Sequence, residues 1–253
     1  MRIVVVGGSG LVGRRLVGRL RAGGHEAVPA SRGTGVDAVT GDGLAEALTG
    51  AQVVVDVTNP PSFEPGAALE FFRTSTRNLL AAGAEAGVGH HVALSVVGAD
   101  RMPDSGYMPA KVAQEALIEG SGRPFTILRA TQFHEFLADI VAAGADGDVI
   151  RLSPAPIRPV AVDDVADTLV ELATGDPVDG VVELAGPESF PLARIAEEVL
   201  AVRHDDRAVV VDPQARYFGQ LLDERTLVPS GDTHRVGAIH FADWLGRDAS
   251  SST

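Results

Sequence analysis

With 253 residues, 45% of them hydrophobic, and a formal net charge of −13, the chain is long enough to bury a sizeable core as one α/β domain with a modest lobe. Its acidic balance argues against nucleic acid and anionic membrane as partners, because no basic field is present to attract phosphates. It has no cysteine, which excludes a disulfide framework, a cysteine nucleophile and a cysteine-containing metal site.

Ile3, Val4, Val5 and Val6 form a continuous apolar run suited to a parallel strand buried on both faces. Met1-Arg2 leads straight into that run, leaving no room for a signal peptide. The run enters Gly7-Gly8-Ser9-Gly10-Leu11-Val12-Gly13, and the segment 14–20 that follows repeats leucine and valine at helical spacing. Strand, glycine turn and helix in that order is the context in which a glycine fingerprint means dinucleotide binding. Gly7 and Gly8 permit the tight turn, Gly10 lets the backbone approach a pyrophosphate, and Gly13 lets helix and strand pack closely. The anion then sits on the helix N-terminus.

The kind of dinucleotide is decided about 20 residues on, at the end of the second strand. That strand is expected over 25–30 and ends at Ser31-Arg32. An NAD site calls for Asp or Glu there, whereas a hydroxyl and an arginine suit a 2′-phosphate. Arg14 offers a second positive contact, and NADP(H) is the expected cofactor. The alternative is that Arg32 is a solvated loop residue.

A third strand, 52–57, leads into Thr58-Asn59-Pro60-Pro61. Two prolines end any regular element, leaving a loop at the carboxyl edge of the sheet, where ligands bind. Thr58 and Asn59 there either border the cofactor ribose or nicotinamide or belong to a plain turn before a helix over 64–86. The next strand, 91–95, ends on Ser95, and a helix is expected over 110–120 with Pro109 in its first turn. Before it stands Tyr107, one of two tyrosines, and four residues later Lys111, the single lysine. On a helix these two share a face one turn apart. There an ammonium favours the ionised phenol and tunes it as a general acid. Pro109 lies between them, so Tyr107 is expected at or before the helix start.

Beyond the strand ending at Arg129-Ala130, Gln132, Phe133 and His134 are expected over the nicotinamide, lining the substrate pocket. A structural role for His134 is the competing reading. The seven histidines show no metal-ligand spacing. Asp163 and Asp164 open a helix over 163–173, where capping explains them better than acid-base chemistry. The chain shows no repeat, and the tail 248–253 reads as disorder. No apolar run approaches the ~20 residues that cross a bilayer. A soluble cytoplasmic protein is expected.

Gly7-x-x-Gly10-x-x-Gly13, Val92-Ala93-Leu94-Ser95-Val96-Val97-Gly98-Ala99, Tyr107-x-x-x-Lys111 and Thr126-Ile127-Leu128-Arg129 resemble the atypical short-chain dehydrogenase/reductases, the NmrA-like branch. The segments 159–166 and 182–188 resemble it too, and the likeness covers about residues 1–202. It implies an α/β fold with a doubly wound, mostly parallel Rossmann-type sheet, a nicotinamide cofactor and a small C-terminal substrate lobe. It also implies that a hydroxyl at Ser95 bonds the reacting carbonyl and that Asp42 lies near adenine. As a bare feature, Asp42 is equally a helix N-terminal residue favoured by the dipole. Many members carry a second serine where this chain has Val96, and some act as redox-sensing regulators.

The expected organisation is an NADP(H)-binding core over 1–152, a mixed region over 153–247 contributing to core and lobe, and the tail. The expected function is NADPH-dependent reduction of a small, largely apolar carbonyl, quinone or conjugated alkene between the sheet edge and the lobe, with Tyr107, Lys111 and Ser95 as the catalytic group. A cofactor-sensing regulator and a redox-neutral isomerase, epimerase or dehydratase are the alternatives. A small molecule is the expected partner. Helices of this fold often make dimer faces, so a homo-oligomer is open, although no self-complementary patch is legible.

Overall fold

Ile3, Val4 and Val5 are completely removed from solvent, as an apolar run without alternation requires when helices cover both faces of a sheet. They belong to β1 (Arg2–Val6), which is followed by α1 (Leu11–Ala22), β2 (Glu26–Ala30), α2 (Leu44–Leu48), β3 (Val53–Asp56) and α3 (Pro65–Glu85). Next come β4 (His90–Val96), α4 (Met108–Glu119), β5 (Phe125–Ala130), α5 (Leu137–Ala143), β6 (Ala145–Asp146), β7 (Val149–Leu152) and β8 (Pro156–Ile157). The chain continues through α6 (Val162–Thr174), β9 (Gly180–Ala185), β10 (Phe190–Pro191), α7 (Leu192–Val202), β11 (Ala208–Val211), β12 (Arg216–Tyr217), β13 (Gln220–Leu221), β14 (Arg235–Val236) and α8 (Phe241–Ser251). The structure, a computed structural model, describes the backbone of residues 1–251 and the side chains of 1–247. Helix α8 carries the backbone to Ser251, and the rest of the tail expected to be disordered lies outside the described residues.

Seven strands form one mostly parallel sheet in the order β14-β9-β5-β4-β3-β1-β2. This is the expected Rossmann-type α/β fold. β1 pairs in parallel with both β2 and β3, and β3 with β4. Pro29 lies within β2 because that strand is an edge, where a missing N–H costs no ladder bond. One core layer packs Val4, Val6 and Val54 against Leu44, Leu48 and Leu79 of α2 and α3. Another gathers Ala93, Ile118 and Ile127 of β4, α4 and β5.

The chain divides into two compact units that interleave in sequence. The first comprises 1–95, 106–129 and 165–182; the second comprises 96–105, 130–164 and 183–253. Within the second, β11 and β7 pair in parallel and β6 adds to β7 antiparallel. Helices α4 and α6 begin two and one residues earlier than the apolar pattern suggests, the usual uncertainty at helix ends. At α6 the first turn carries Asp163 and Asp164. The Val162 N–H is bonded by Glu135 (3.3 and 3.2 Å), and Asp164 Oδ2 accepts the Ile239 N–H at 3.0 Å.

Candidate active site

Val6, Asp56 and Ala93 are in register across β1, β3 and β4. The residues that follow them therefore share the carboxyl edge of the sheet within the first unit: Gly7, the Val57–Asn59 turn, and Leu94-Ser95. Gly7 has φ +83°, and a Cβ on it would lie 2.7 Å from the Val57 carbonyl oxygen. A Cβ on Gly13 would lie 2.3 Å from the Gly7 oxygen, whereas on Gly10 only that same oxygen comes near, at 3.2 Å. Gly7 and Gly13 therefore lock the loop to its neighbours, and Gly10 leaves its outer side open.

Gly10 caps α1 without a side-chain hydrogen bond, and the first turn carries no acidic residue. Ser9, Leu11 and Val12 complete this loop. A backbone-only helix N-terminus behind an open glycine fits the diphosphate of a dinucleotide. Among the described residues the buried hydroxyls of Thr58 and Ser95 have no hydrogen-bond partner, so the same edge holds polar groups that a ligand can satisfy.

Ser31 and Arg32 follow β2 directly, with Arg32 exposed. The Ser31 N–H is held by Thr34 Oγ1 at 2.9 Å. Arg14 is exposed and donates to the Ser9 carbonyl at 2.7 Å, beside the fingerprint loop. Asp42 stands two residues before α2 and accepts from Thr40 Oγ1 at 2.7 Å.

Tyr107 is the N-cap of α4 with helical dihedrals (φ −92°, ψ −39°). Its carbonyl accepts the Lys111 N–H at 3.3 Å, so the one-turn spacing survives Pro109. The side chains diverge. Tyr107 Oη donates to Asn59 Oδ1 at 2.9 Å, while its ring packs at 5.5 Å from Phe63 and 5.8 Å from Phe72. Lys111 Nζ donates to the Leu94 carbonyl at 2.8 Å and to Gln114 Oε1, and lies 4.3 Å from the Phe72 ring centre.

Burial first, and the Asp56 carboxylate second, push the Tyr107 phenol above its ordinary range. The lysine does not pull it down, contrary to the reading from spacing, because its ammonium is turned toward Leu94 and Gln114. Burial lowers Lys111 to about 8, against the opposing pull of Asp56 and Glu115.

Sequence reasoning missed Asp56, Gln114 and the Glu115–Arg129 ion pair (2.6 Å). Asp56 and Gln114 are 1% exposed and Glu115 4%. The signal that was available is Asp56, a carboxylate closing the apolar run 53–55, since a charge buried there requires a partner.

Gln132, Phe133 and His134 belong to the second unit. Among the described residues neither polar end of the buried Gln132 amide has a partner. Phe133 stacks on Phe136 at 5.7 Å. His134 Nε2 bonds the Pro159 carbonyl at 3.1 Å, with the Phe241 and Trp244 rings at 5.5 and 5.4 Å. Burial lowers its pKa to about 4, so it is a neutral imidazole at physiological pH.

A β-α-β unit opened by a glycine loop, with an uncapped helix N-terminus and partnerless hydroxyls at one sheet edge, defines a dinucleotide-binding protein. The chain belongs to the NAD(P)H-binding family, whose profile matches residues 7–176. It is 30% identical over 204 residues (74% of this chain and 69% of the relative) to (4-alkanoyl-5-oxo-2,5-dihydrofuran-3-yl)methyl phosphate reductase of Streptomyces griseus. Its fold is that of the UDP-glucose 4-epimerase of Thermotoga maritima (TM-score 0.77, 16% identity, covering 99% and 98% of the two chains). It is equally that of a short-chain dehydrogenase/reductase superfamily protein of Agrobacterium tumefaciens with bound NAD (TM-score 0.74, 19% identity, covering 100% and 97%). These findings agree with the resemblance read from the motifs and with an NAD(P)-dependent oxidoreductase-like protein. Among the described residues no helix is long and apolar enough to cross a membrane.

Proposed function

We propose that this chain is an NADPH-dependent reductase that delivers hydride to a small, largely apolar carbonyl, quinone or conjugated alkene, with Tyr107 as the general acid. The observation that carries the reading is the Tyr107 hydroxyl, held at 2.9 Å by Asn59 on the sheet edge that also bears the glycine loop, Thr58 and Ser95. The cofactor bound on that edge supplies the hydride.

Tyr107 supplies the proton. Its burial keeps the phenol protonated at neutral pH, ready to quench an oxyanion or the enolate of a conjugate reduction. Asn59 orients the hydroxyl. Ser95 Oγ, buried and partnerless, donates to the acceptor oxygen and polarises it. Lys111 has three N–H donors, of which the protein engages two, leaving one for the ribose. Gly7, Gly8, Ser9, Gly10, Leu11, Val12 and Gly13 hold the diphosphate. Arg32, Ser31 and Arg14 take the 2′-phosphate, Asp42 lies near adenine, and Thr58 and Asn59 border the nicotinamide side.

The Streptomyces griseus relative supports the conjugated alkene within that class. Its name describes a methyl phosphate that carries an oxo-dihydrofuran with an alkanoyl group, an alkene conjugated to carbonyls. NADPH oxidation followed by absorbance against ketones, aldehydes, quinones and unsaturated lactones tests the reading. Turnover that scales with enzyme is expected on the conjugated members. Tight NADPH binding with no oxidation by any panel member would overturn it.

A further inference from the structure

Three buried polar side chains form a chain behind the phenol. Asp56, Gln114 and Lys111 are 1%, 1% and 2% exposed. Asp56 Oδ1 accepts the Thr58 N–H at 2.9 Å and Oδ2 accepts Gln114 Nε2 at 2.9 Å. Gln114 Oε1 in turn accepts from Lys111 Nζ, whose second donor is fixed on the Leu94 carbonyl at 2.8 Å. The orientation of the amide is forced. A carboxylate only accepts and an ammonium only donates, so the NH₂ must face Asp56 and the oxygen must face Lys111. Neither charge is otherwise tolerable at this depth.

We propose that Gln114 is a positioning residue that bridges the Asp56 carboxylate to the Lys111 ammonium and fixes the ammonium at the carboxyl end of β4, beside Ser95. Lys111 and Gln114 lie three residues apart on α4, the spacing that lets their side chains meet. Asp56 supplies the counter-charge from β3, two strands across from β5. The other charged and titratable groups around Lys111 and its counter-charge Asp56 are accounted for. Glu115 on α4 is engaged by Arg129 of β5 at 2.6 Å. His91 on β4 is held toward its neutral form by burial. Tyr107 is bound to Asn59, and α3 contributes the Phe72 ring. The Asp56–Gln114 arm is therefore the route by which negative charge reaches the ammonium through hydrogen bonds. It leaves one N–H free, whereas a carboxylate placed directly against Nζ would draw the ammonium away from Leu94. The kinetic consequence rests on the reductase reading; the positional one does not.

The test uses the composition of the chain. With a single lysine, protein labelled with carbon-13 at lysine Cε gives one side-chain resonance, so Lys111 titrates without assignment and without cofactor. Its midpoint in the unaltered chain is expected near 8. Asp56→Asn keeps the shape and removes the charge, and should lower the midpoint by about one pH unit or more. Gln114→Leu should lower it likewise. Gln114→Glu, which still accepts from the ammonium, should hold it at or above the original value. The alkaline limb of NADPH-dependent kcat/KM should move in the same order. An unchanged midpoint in Asp56→Asn overturns the proposal, as does a lowered midpoint in Gln114→Glu, even where Gln114→Leu fails to fold. A chain that shows the titration order but no turnover with any substrate retains this inference and loses the reductase reading.

Discussion

Tyr107 and Lys111 share one helical turn yet answer to different neighbours, and burial decides both. The neutral forms are favoured at depth, so the phenol rises and the ammonium falls. Replacing Tyr107 by Phe removes the proton but keeps the packing against Phe63 and Phe72. Turnover should drop by about 10²–10⁴, while NADPH affinity, measured by fluorescence titration, stays close to unchanged. A Phe variant that keeps most of its activity would show that the phenol is structural. Arg32, proposed above to take the 2′-phosphate, is exposed. Losing a charge-assisted contact of this kind costs about 1.5–3 kcal/mol. Arg32→Ala should thus weaken NADPH by roughly tenfold to a hundredfold and barely touch NADH. Equal losses for the two cofactors would remove the 2′-phosphate assignment.

At the scale of elements, α1 offers a matched pair of glycines. A Cβ on Gly13 meets backbone on both sides, at 2.3 Å from Gly7 O and 2.7 Å from Gly8 Cα, whereas one on Gly18 meets nothing within 4 Å. Gly13→Ala forces the fingerprint loop to move, at a cost of about 1–3 kcal/mol, and should lower both Tm and cofactor affinity. Gly18→Ala in the same helix removes only backbone freedom and should stabilise by about 0.5–1 kcal/mol. Thermal melts with and without NADPH separate the two. If Gly13→Ala behaves like Gly18→Ala, the loop is not held as described. These positions were legible because strand, glycine turn and helix follow one another without a gap. Gln114 was not, since a glutamine on a helix looks solvated until a carboxylate from another strand is known to face it.

For the whole molecule, buried neutral imidazoles contribute to the response to acid. His134 in the second unit has its pKa lowered to about 4 by burial, and His90 and His91 in the first unit are lowered for the same reason. An unfolded histidine takes its proton near 6.5, whereas folded His134 resists until about 4. Between those values the unfolded chain binds more protons, so stability falls as pH drops through that window. The His134 share is on the order of 3 kcal/mol. Urea unfolding at pH 7, 6, 5 and 4.5 should show that decline, with a shallower slope in His134→Leu. A variant with the original slope would place the acid sensitivity elsewhere.

The sequence by itself determined what depends on neighbours along the chain. The apolar run Ile3–Val6, the glycine spacing through Gly13, the prolines after Asn59 and the tyrosine four residues before the single lysine each act within a turn or two. They sufficed for the fold class and for the NAD(P)H-binding family. Tertiary structure alone decided what depends on residues brought together across the sheet. It aligned Val6, Asp56 and Ala93, turned Lys111 toward Leu94 and Gln114, and handed the Tyr107 hydroxyl to Asn59, 48 residues away. A side chain's pKa follows its depth and the charges around it, and neither is fixed until distant strands have paired.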